Sequence, residues 1–498
     1  MEVRVRYAPS PTGNQHIGGV RTALINYLFA RSQGGKFLLR LEDTDRTRYS
    51  DEYVKNLYDT FKWLGFYWDE GPDVGGPSAP YIQSERFALY KEHAEKLVSM
   101  GQAYYCFCAE DRLAKLHADA QDEEAGEGGS YGYDRRCRNV DPAEASRRLA
   151  AGEKAVIRLK IPLDGTTKFR DALLGDIEWK NADVSPDPVL LKSDGFPTYH
   201  LANIVDDHLM HITHVMRAQE WISSTPMHVI MYRAFGWTPP EFCHLPMVLG
   251  QDGSKLSKRH GATSLNEFRK NGYLPEALIN YVAHLGCSYE EGREIFTLKE
   301  LEGLFRVEKL NKASAVFDYT KLEWYNGQYI RMKTDAELAA LVMPFLAAAG
   351  LVAAGSDGAP APGPAQAAVV LGAMPLVKER LKFLTDAAPM MRYLFEEPAL
   401  PAPEEFIPKK LDAARAAELL AAAAALLPSC DLADVPACEA AFRAEAERLG
   451  AKFGDLMMPL RVAATGSRVS PPLFESIHLV GLEKCLARIE RARKLLVP

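Results

Sequence analysis

The feature that most constrains this chain is a change of period near its beginning. Val3, Val5 and Tyr7 alternate with Arg4 and Arg6, the two-residue repeat of a strand. Ala8 and Pro9 end that run, and Pro9-Ser10-Pro11-Thr12-Gly13 can neither continue it nor start a long helix. A helix is predicted from about His16 or Gly18 to Arg31, with Leu24, Ile25, Leu28 and Phe29 on one face and Gly34-Gly35 as its stop. Lys36 to Leu41 predicts a second strand, ending in Glu42-Asp43-Thr44-Asp45. Strand, helix and strand in this order start a parallel α/β unit, and such units hold ligands at the C-terminal ends of their strands.

The rest of the chain divides by character. Its 498 residues are about three typical domain lengths. Hydrophobic residues make up 47% and charged residues 25%, which excludes a disordered chain, a collagen-like fibre and a small stapled scaffold. Glu85 to Gly101 predicts a helix. From Ala103 to Asp187 the pattern changes to a cysteine group, an acidic glycine-rich stretch (Asp119 to Ser130) and short strands, read as an insertion into the first sheet. The sheet resumes at Val189 and runs past Trp237. From Leu265 onward helices dominate. Gly350 to Ala367 predicts a linker or surface loop, and Pro398 to Pro408, with four prolines, a hinge. The expected boundaries are 1–104 and 188–245 for the two halves of the α/β domain and 105–187 for the insertion. Residues 246–325, 326–397 and 398–498 complete the chain.

No run of roughly eighteen apolar residues occurs, and Met1 to Arg6 lacks the apolar core of a signal peptide, so no membrane contact and a cytoplasmic location are expected. The net charge of −7 means that a nucleic-acid site has to be a local basic face on an acidic body. Of the eight cysteines only Cys106, Cys108 and Cys137 group together, which in a reducing compartment suggests metal before disulfide.

Two constellations carry chemistry. In the first, Arg6 to Gly19, a histidine and two glycines sit where a strand hands over to a helix. Helix N-termini suit phosphate, and His16 can donate a hydrogen bond to an oxygen that gains charge in a displacement. The second is Lys255-Leu256-Ser257-Lys258-Arg259, three cations on a glycine-bearing loop that can close over a triphosphate. Alone, either reads as a plain turn or a solvated basic loop; together they are far more specific.

The pair resembles the H-x-G-H and K-M-S-K-S signatures of class I aminoacyl-tRNA synthetases, as His16-Ile17-Gly18-Gly19 and Lys255-Leu256-Ser257-Lys258-Arg259. The final histidine of the first signature is Gly19. Arg40 to Arg46, Glu70-Gly71-Pro72, Gln83 to Arg86, Pro197 to Asn203, Arg217 to Trp221 and Pro459 to Ala463 resemble the glutamyl-tRNA synthetases. The resemblance implies a Rossmann-like parallel sheet, an inserted α+β domain that binds the tRNA acceptor end, and an all-α C-terminal arm that binds the anticodon. It implies ATP-dependent activation of L-glutamate to glutamyl-adenylate and transfer to the 3′ end of tRNA(Glu), with tRNA bound before the first step. Charging of tRNA(Gln) as well is the alternative. A monomer is expected.

It also implies site residues. His16, Lys255 and Lys258 are expected to be catalytic. Arg6, Ala8, Ser10, Glu42, Tyr199, Asn203 and Arg217 are expected around glutamate, where a guanidinium fork grips the side-chain carboxylate and Glu42 meets the ammonium. Thr12, His16, Gly18, Glu220, Trp221, Val248 and Lys258 are expected around ATP, with Mg²⁺ on the phosphates. Asp206-Asp207 stays unassigned, because adjacent helical residues point different ways. Some relatives hold structural zinc with a set like Cys106, Cys108, Tyr133 and Cys137; others use a histidine where Asn139 stands, and His117 is a substitute ligand. Zinc and three free thiols both stay open. Lys378, Arg380, Lys382 and Arg392 form a candidate tRNA-binding cluster in the arm. A nucleotidyltransferase of small metabolites, or a paralogue that modifies a tRNA base, would not need over 170 residues past Tyr325. A silent RNA-binding scaffold would not need His16, Glu42, Arg217 and Lys258 together.

Overall fold

The computed structural model describes residues 2–44, 49–123 and 133–497, with the side chains of 117–123 and 258 left aside. Asp45, the side chain of His117 and most of the acidic glycine-rich stretch therefore lie outside the described residues. Two compact units are present, Met1–Phe268 with Leu278–Asp318, and Arg269–Ala277 with Tyr319–Pro498.

In the first unit β1 (Arg4–Tyr7) and β2 (Lys36–Leu39) pair in parallel, Arg4 opposite Lys36 and Tyr7 opposite Leu39, with α1 (Ile17–Ser32) between them in sequence. The expected apolar face of α1 is only part of what it buries. Val20, Ala23, Ile25 and Tyr27 are buried along with Leu24, Leu28 and Phe29, because the helix is covered on all sides, as an all-round apolar helix must be. α2 (Asp51–Leu64) is capped by Ser50, whose side chain accepts from the Glu52 N–H. α3 (Phe87–Ser99) begins two residues later than expected, after a single turn of 3₁₀ helix.

The segment expected as an insertion contains β3 (Ala103–Cys106), α4 (Glu110–Glu123), α5 (Pro142–Ala150), β4 (Val156–Leu159), β5 (Thr166–Asp171) and β6 (Gly175–Lys180). β7 (Val189–Leu191), α6 (Tyr199–Leu209), β8 (His214–Ala218), α7 (Thr225–Ala234), β9 (Glu241–Leu245) and β10 (Val248–Leu249) come next. β3, β4 and β7 form an antiparallel sheet. β6, β5, β9 and β8 form a mixed sheet in which β8 and β9 run parallel and β5 joins β9 at Asp171 opposite Phe242. The segment is thus woven into the unit. Ile157 and Leu159 share a core with Tyr90, Leu97, Leu190, Leu201, Val205 and Met231. Each such side chain contributes about 1.5–3 kcal/mol on burial, so the core holds the segment in place. Thr213, just before β8, donates its N–H to the Arg4 carbonyl at 2.9 Å, tying β8 to β1. β1, β8 and β9 therefore end side by side, and the loops leaving their C-terminal ends converge in one place.

The chain passes between the units within α8 (Leu265–Lys270) and α9 (Pro275–His284). α10 (Leu298–Leu304) and β11 (Ala315–Val316), which pairs with β10, complete the first unit. The described part of the second unit is helical: α11 (Tyr319–Met332), α12 (Asp335–Ala348), α13 (Pro364–Val377), α14 (Ala387–Phe395), α15 (Ala413–Leu426), α16 (Val435–Arg448), α17 (Phe453–Thr465), α18 (Leu473–Val480) and α19 (Leu482–Leu496). Thr334 and Glu337 form a reciprocal cap at the start of α12. Alanine in α15 allows close packing, and Ala416, Leu419, Leu420 and Ala423 are buried there. The proline-rich stretch 398–408, expected as a hinge, is strapped down: Phe406 is fully buried and Arg491 donates to the Pro398 carbonyl at 3.0 Å.

Candidate active site

The strand ends open on a cavity of about 1170 Å³, lined among others by Arg6, Ala8, Ser10, Thr12, His16, Gly18, Glu42, Tyr199, Arg217, Glu220, Trp221, Val248 and Lys255. Drug-sized ligands fill roughly 300–1,000 Å³, so there is room for two reactants side by side.

One end of the cavity is the start of α1. His16 is its N-cap, in extended conformation, and its Nδ1 accepts the Gly19 N–H at 3.3 Å. That bond places the ring proton on Nε2, the atom left to donate to a ligand. Desolvation by the cleft walls and the charge of Lys255 push the imidazole below its ordinary value, so it is neutral near pH 7. The ring packs over Gly18, and a Cβ at Gly19 would sit 2.8 Å from the Tyr7 hydroxyl. This explains the departure from the signature: Tyr7 occupies the space that a histidine side chain would need, and its hydroxyl donates to Gln15 at 2.9 Å.

The lysine loop is held against this helix start. Ile17 donates its N–H to the Thr263 carbonyl at 3.0 Å, and Leu265 to the Gln15 carbonyl at 3.1 Å. Both bonds join the segment just past the loop to the segment around His16. Lys255 Nζ meets Glu220 Oε2 at 2.6 Å at the cavity wall. His260 braces the loop, accepting the Ser257 N–H on Nδ1 at 3.0 Å and facing Asp252 Oδ1 with Nε2 at 3.1 Å. Lys258 opens the short 3₁₀ turn Lys258–His260, and its side chain lies outside the described residues.

The other end is built from buried charge. Arg217, only 5% exposed, donates to Thr225 Oγ1 at 2.8 Å, to His244 Nε2 at 3.2 Å and to His228 Nδ1 at 3.2 Å. No carboxylate pairs with it among the described residues, and burial pushes the guanidinium down from its usual value. Arg6 is paired: its Nε donates to Asp207 Oδ1 at 3.0 Å and its Nη2 to Asn203 Oδ1 at 3.2 Å. Arg40, fully buried, bonds Asp207 at 2.6 Å, Asn203 at 2.8 Å and Glu42 at 3.0 Å. Asp206 bonds Arg86 at 2.7 Å, Gln83 at 2.9 Å and Tyr90 at 2.8 Å, and one of its oxygens lies 3.6 Å from Arg40 Nε. The adjacent aspartates therefore meet on one arginine, Arg40, and each also serves a second, Arg86 for Asp206 and Arg6 for Asp207. Burial raises the Glu42 carboxyl against the pull of Arg40 and Arg6. Tyr199 packs on Trp221 with ring centres 4.5 Å apart and planes tilted by 33°, and both line the cavity. Asn203, expected beside Tyr199, gives its amide oxygen to Arg6 and Arg40 and turns its amide nitrogen toward the Tyr199 hydroxyl at 3.4 Å. Sequence reasoning missed Arg40, Asp207, His228 and His244 as parts of the site. Arg40 lies inside one of the family-like motifs, while the histidines carry no local signal.

A family profile described as tRNA synthetases class I (E and Q), catalytic domain, matches residues 2–324, and an anticodon binding domain profile matches 337–493. The glutamate–tRNA ligase of Treponema denticola is 60% identical over 505 residues, covering 99% of each chain. The chain belongs to the glutamate–tRNA ligase family of class I tRNA synthetases. The glutamate–tRNA ligase of Borreliella burgdorferi is 50% identical over 496 residues, covering 100% of this chain and 99% of that one. A crystal structure of a glutamate tRNA ligase from Elizabethkingia meningosepticum, in complex with its amino acid, superposes with a TM-score of 0.87 at 34% identity and full coverage of both chains.

Two further features of this glutamate–tRNA ligase family member bear on the expected sites. The sulfurs of Cys106, Cys108 and Cys137 fall within 4.8 Å of one another. Cys108 and Cys137 are 3.6 Å apart, and the Tyr133 hydroxyl is 3.1 Å from the Cys106 sulfur. In the arm, Lys378 pairs with Asp335 at 3.2 Å, Lys382 with Glu323 at 3.7 Å and Arg392 with Glu396 at 2.8 Å. Arg380 instead donates to the Ser470 carbonyl at 2.6 Å, and Arg461 donates to Ser470 Oγ at 2.6 Å and the Pro471 carbonyl at 2.8 Å. Neither has an ion-pair partner among the described residues. Arg461, which the sequence marks only as part of a motif, thereby joins Arg380, and each feels the other's charge. No helix among the described residues is long and apolar enough to cross a membrane.

Proposed function

We propose that this chain is a glutamate–tRNA ligase whose cleft joins L-glutamate to ATP and then to tRNA(Glu). The observation that carries this reading is the placement of an acid-free buried guanidinium, Arg217, in the same cavity as His16 and Lys255. A buried cation without a carboxylate is costly unless a ligand supplies one. Glutamate supplies two carboxylates and one ammonium. Arg217 takes the side-chain carboxylate, Arg6 assists, Glu42 meets the ammonium, and Ala8, Ser10, Tyr199 and Asn203 complete the glutamate site.

ATP lies along the α1 start, against Thr12, His16, Gly18, Glu220, Trp221 and Val248. The glutamate α-carboxylate attacks the α-phosphate, giving glutamyl-adenylate and pyrophosphate. Negative charge grows on the phosphate oxygens, where His16 donates from Nε2 and Lys255 and Lys258 supply positive charge. Mg²⁺ arrives with the triphosphate, held by phosphate oxygens and water. The terminal ribose hydroxyl of tRNA then attacks the acyl carbon and AMP leaves. The segment 105–187 binds the acceptor end; residues 246–325 contact the stem; 326–397 and 398–498 reach the anticodon, with the cationic set Lys378, Arg380, Lys382, Arg392 and Arg461. The enzyme works as a cytoplasmic monomer.

The test is aminoacylation with purified tRNA(Glu) and tRNA(Gln). Glutamate on tRNA(Glu) alone is the expected result, and glutamate on both marks the wider specificity. No glutamate-dependent pyrophosphate exchange with either tRNA present would overturn the reading.

The cysteine group fits structural zinc. Two sulfurs on a tetrahedral ion, each at about 2.3 Å, are about 3.8 Å apart, close to the 3.6 Å between Cys108 and Cys137. Cys106 and Tyr133 complete the set, and the ion would tie the end of β3 to the stretch that carries Tyr133 and Cys137. Metal analysis of purified protein is expected to find one zinc per chain, and chelation to lower the melting temperature. Protein without zinc would leave Cys106, Cys108 and Cys137 as thiols.

A further inference from the structure

We propose that His244 and His228 are positioning residues for glutamate selection: they grip Arg217 through neutral imidazoles, which fixes its aim without spending its charge. This rests on the reading of Arg217 as the clamp for the side-chain carboxylate.

The parallel register of β8 and β9 sets Arg217 directly opposite His244. The proton on His244 is not free to choose its nitrogen. Asp171 accepts the His244 backbone N–H at 2.9 Å and faces Nδ1 at 2.7 Å, and its other oxygen accepts the N–H groups of Leu173 at 2.9 Å and Leu174 at 2.8 Å. Burial opposes ionisation of this carboxyl, but the bond from His244 and those backbone donors hold it below the usual range. An ionised carboxylate only accepts, so Nδ1 carries the hydrogen and Nε2 is the acceptor, facing Arg217 Nε at 3.2 Å and the Thr225 hydroxyl at 2.9 Å.

His228 repeats the arrangement on the other side. Its Nδ1 accepts from Arg217 Nη1 at 3.2 Å, and its Nε2 donates to His200 Nδ1 at 2.9 Å. Thr225 Oγ1 takes Nη2 at 2.8 Å. Thr225, His228 and His244 are fully buried, and burial pushes both imidazoles below their ordinary value, His228 most. Every close protein partner of this guanidinium is therefore neutral. Asp171 reaches it only through an imidazole, and Asp207, whose charge also acts on it, is already bonded to Arg6 and Arg40.

The consequence is selectivity. A carboxylate at either histidine position would neutralise Arg217 and remove its advantage for an acidic side chain over a carboxamide. Neutral acceptors steer the fork and leave N–H groups on both terminal nitrogens for the ligand. The contact to the Trp221 carbonyl, at 3.4 Å, is weak enough to yield.

The experiment compares His244→Leu, His244→Gln, His228→Gln and His228→Asp by tRNA-dependent ATP–pyrophosphate exchange, titrating glutamate, glutamine and ATP separately. His244→Leu is expected to raise KM for glutamate about 10-fold to 100-fold, the loss of one bond to a charged group, and to leave KM for ATP within about 2-fold. His244→Gln, which offers an acceptor oxygen near Nε2, is expected to recover most of the loss. His228→Asp is expected to cut the preference for glutamate over glutamine by at least about 10-fold, and His228→Gln to change it little. Circular dichroism melts of each variant separate misfolding from mispositioning. Equal changes in both KM values, a His244→Gln variant as impaired as His244→Leu, or an unmoved preference in a folded His228→Asp variant would overturn the proposal. Wild-type protein that activates no glutamate would overturn the functional reading instead, and this one with it.

Discussion

Replacing Arg217 by glutamine is expected to lower kcat/KM for glutamate by about 10²–10³-fold while leaving KM for ATP within about 3-fold. The magnitude is that of removing one member of a buried, hydrogen-bonded charge pair, roughly 2–5 kcal/mol. The asymmetry follows from geometry. Arg217 sits at the end of β8 among Thr225, His228 and His244, on a different element from the His16 helix start that would meet phosphate. Glutamine is close in length and keeps amide donors, so the fold is expected to survive. The measurement is glutamate and ATP titration of pyrophosphate exchange with tRNA present. An equal loss for both substrates would make Arg217 a structural residue and remove the observation on which the proposed function rests.

Replacing Lys258 by alanine is expected to slow adenylate formation by about 10²–10³-fold, the usual cost of losing one donor aimed at developing charge. Lys258 stands on a loop whose path is well braced. His260 ties Ser257 to Asp252, and the bonds from Ile17 to Thr263 and from Leu265 to Gln15 fasten the far side of the loop beside His16. The effect should fall on the chemical step and little on glutamate binding, which single-turnover kinetics with saturating glutamate would resolve. Turnover equal to that of the wild type would take Lys258 out of the mechanism.

The features that could be read from sequence were those carried by local pattern. The alternation at Val3, Val5 and Tyr7, the proline break and the apolar spacing through Leu28 located β1 and α1 to within a residue or two at most ends. The two signatures located both sides of the cleft. What stayed hidden depends on long-range pairing. Arg6 meets Asp207 across 201 positions, and Asp171 meets His244 across 73, distances over which no periodicity speaks. The same limit explains Asn203. Its spacing from Tyr199 correctly puts both on one helix, but only the packed structure shows that two arginines claim its oxygen. It also explains the stretch 398–408, where proline content suggested a hinge and the contacts of Phe406 and Arg491 hold it fast.

The charge lattice around Arg6 and Glu42 restricts how this floor of the cleft can change. Arg6, Arg40, Arg86, Asp206, Asp207 and Glu42 are all buried. Exchanging the whole set for oily side chains of equal bulk would often cost a protein little stability, whereas deleting one member strands its opposite, at about 3–5 kcal/mol. Drift by single steps is thus blocked. The wholesale exchange is blocked too, since it would erase the wall formed by Arg6 and Glu42. Change there requires several of these residues to be replaced together, whereas a solvated position can change alone.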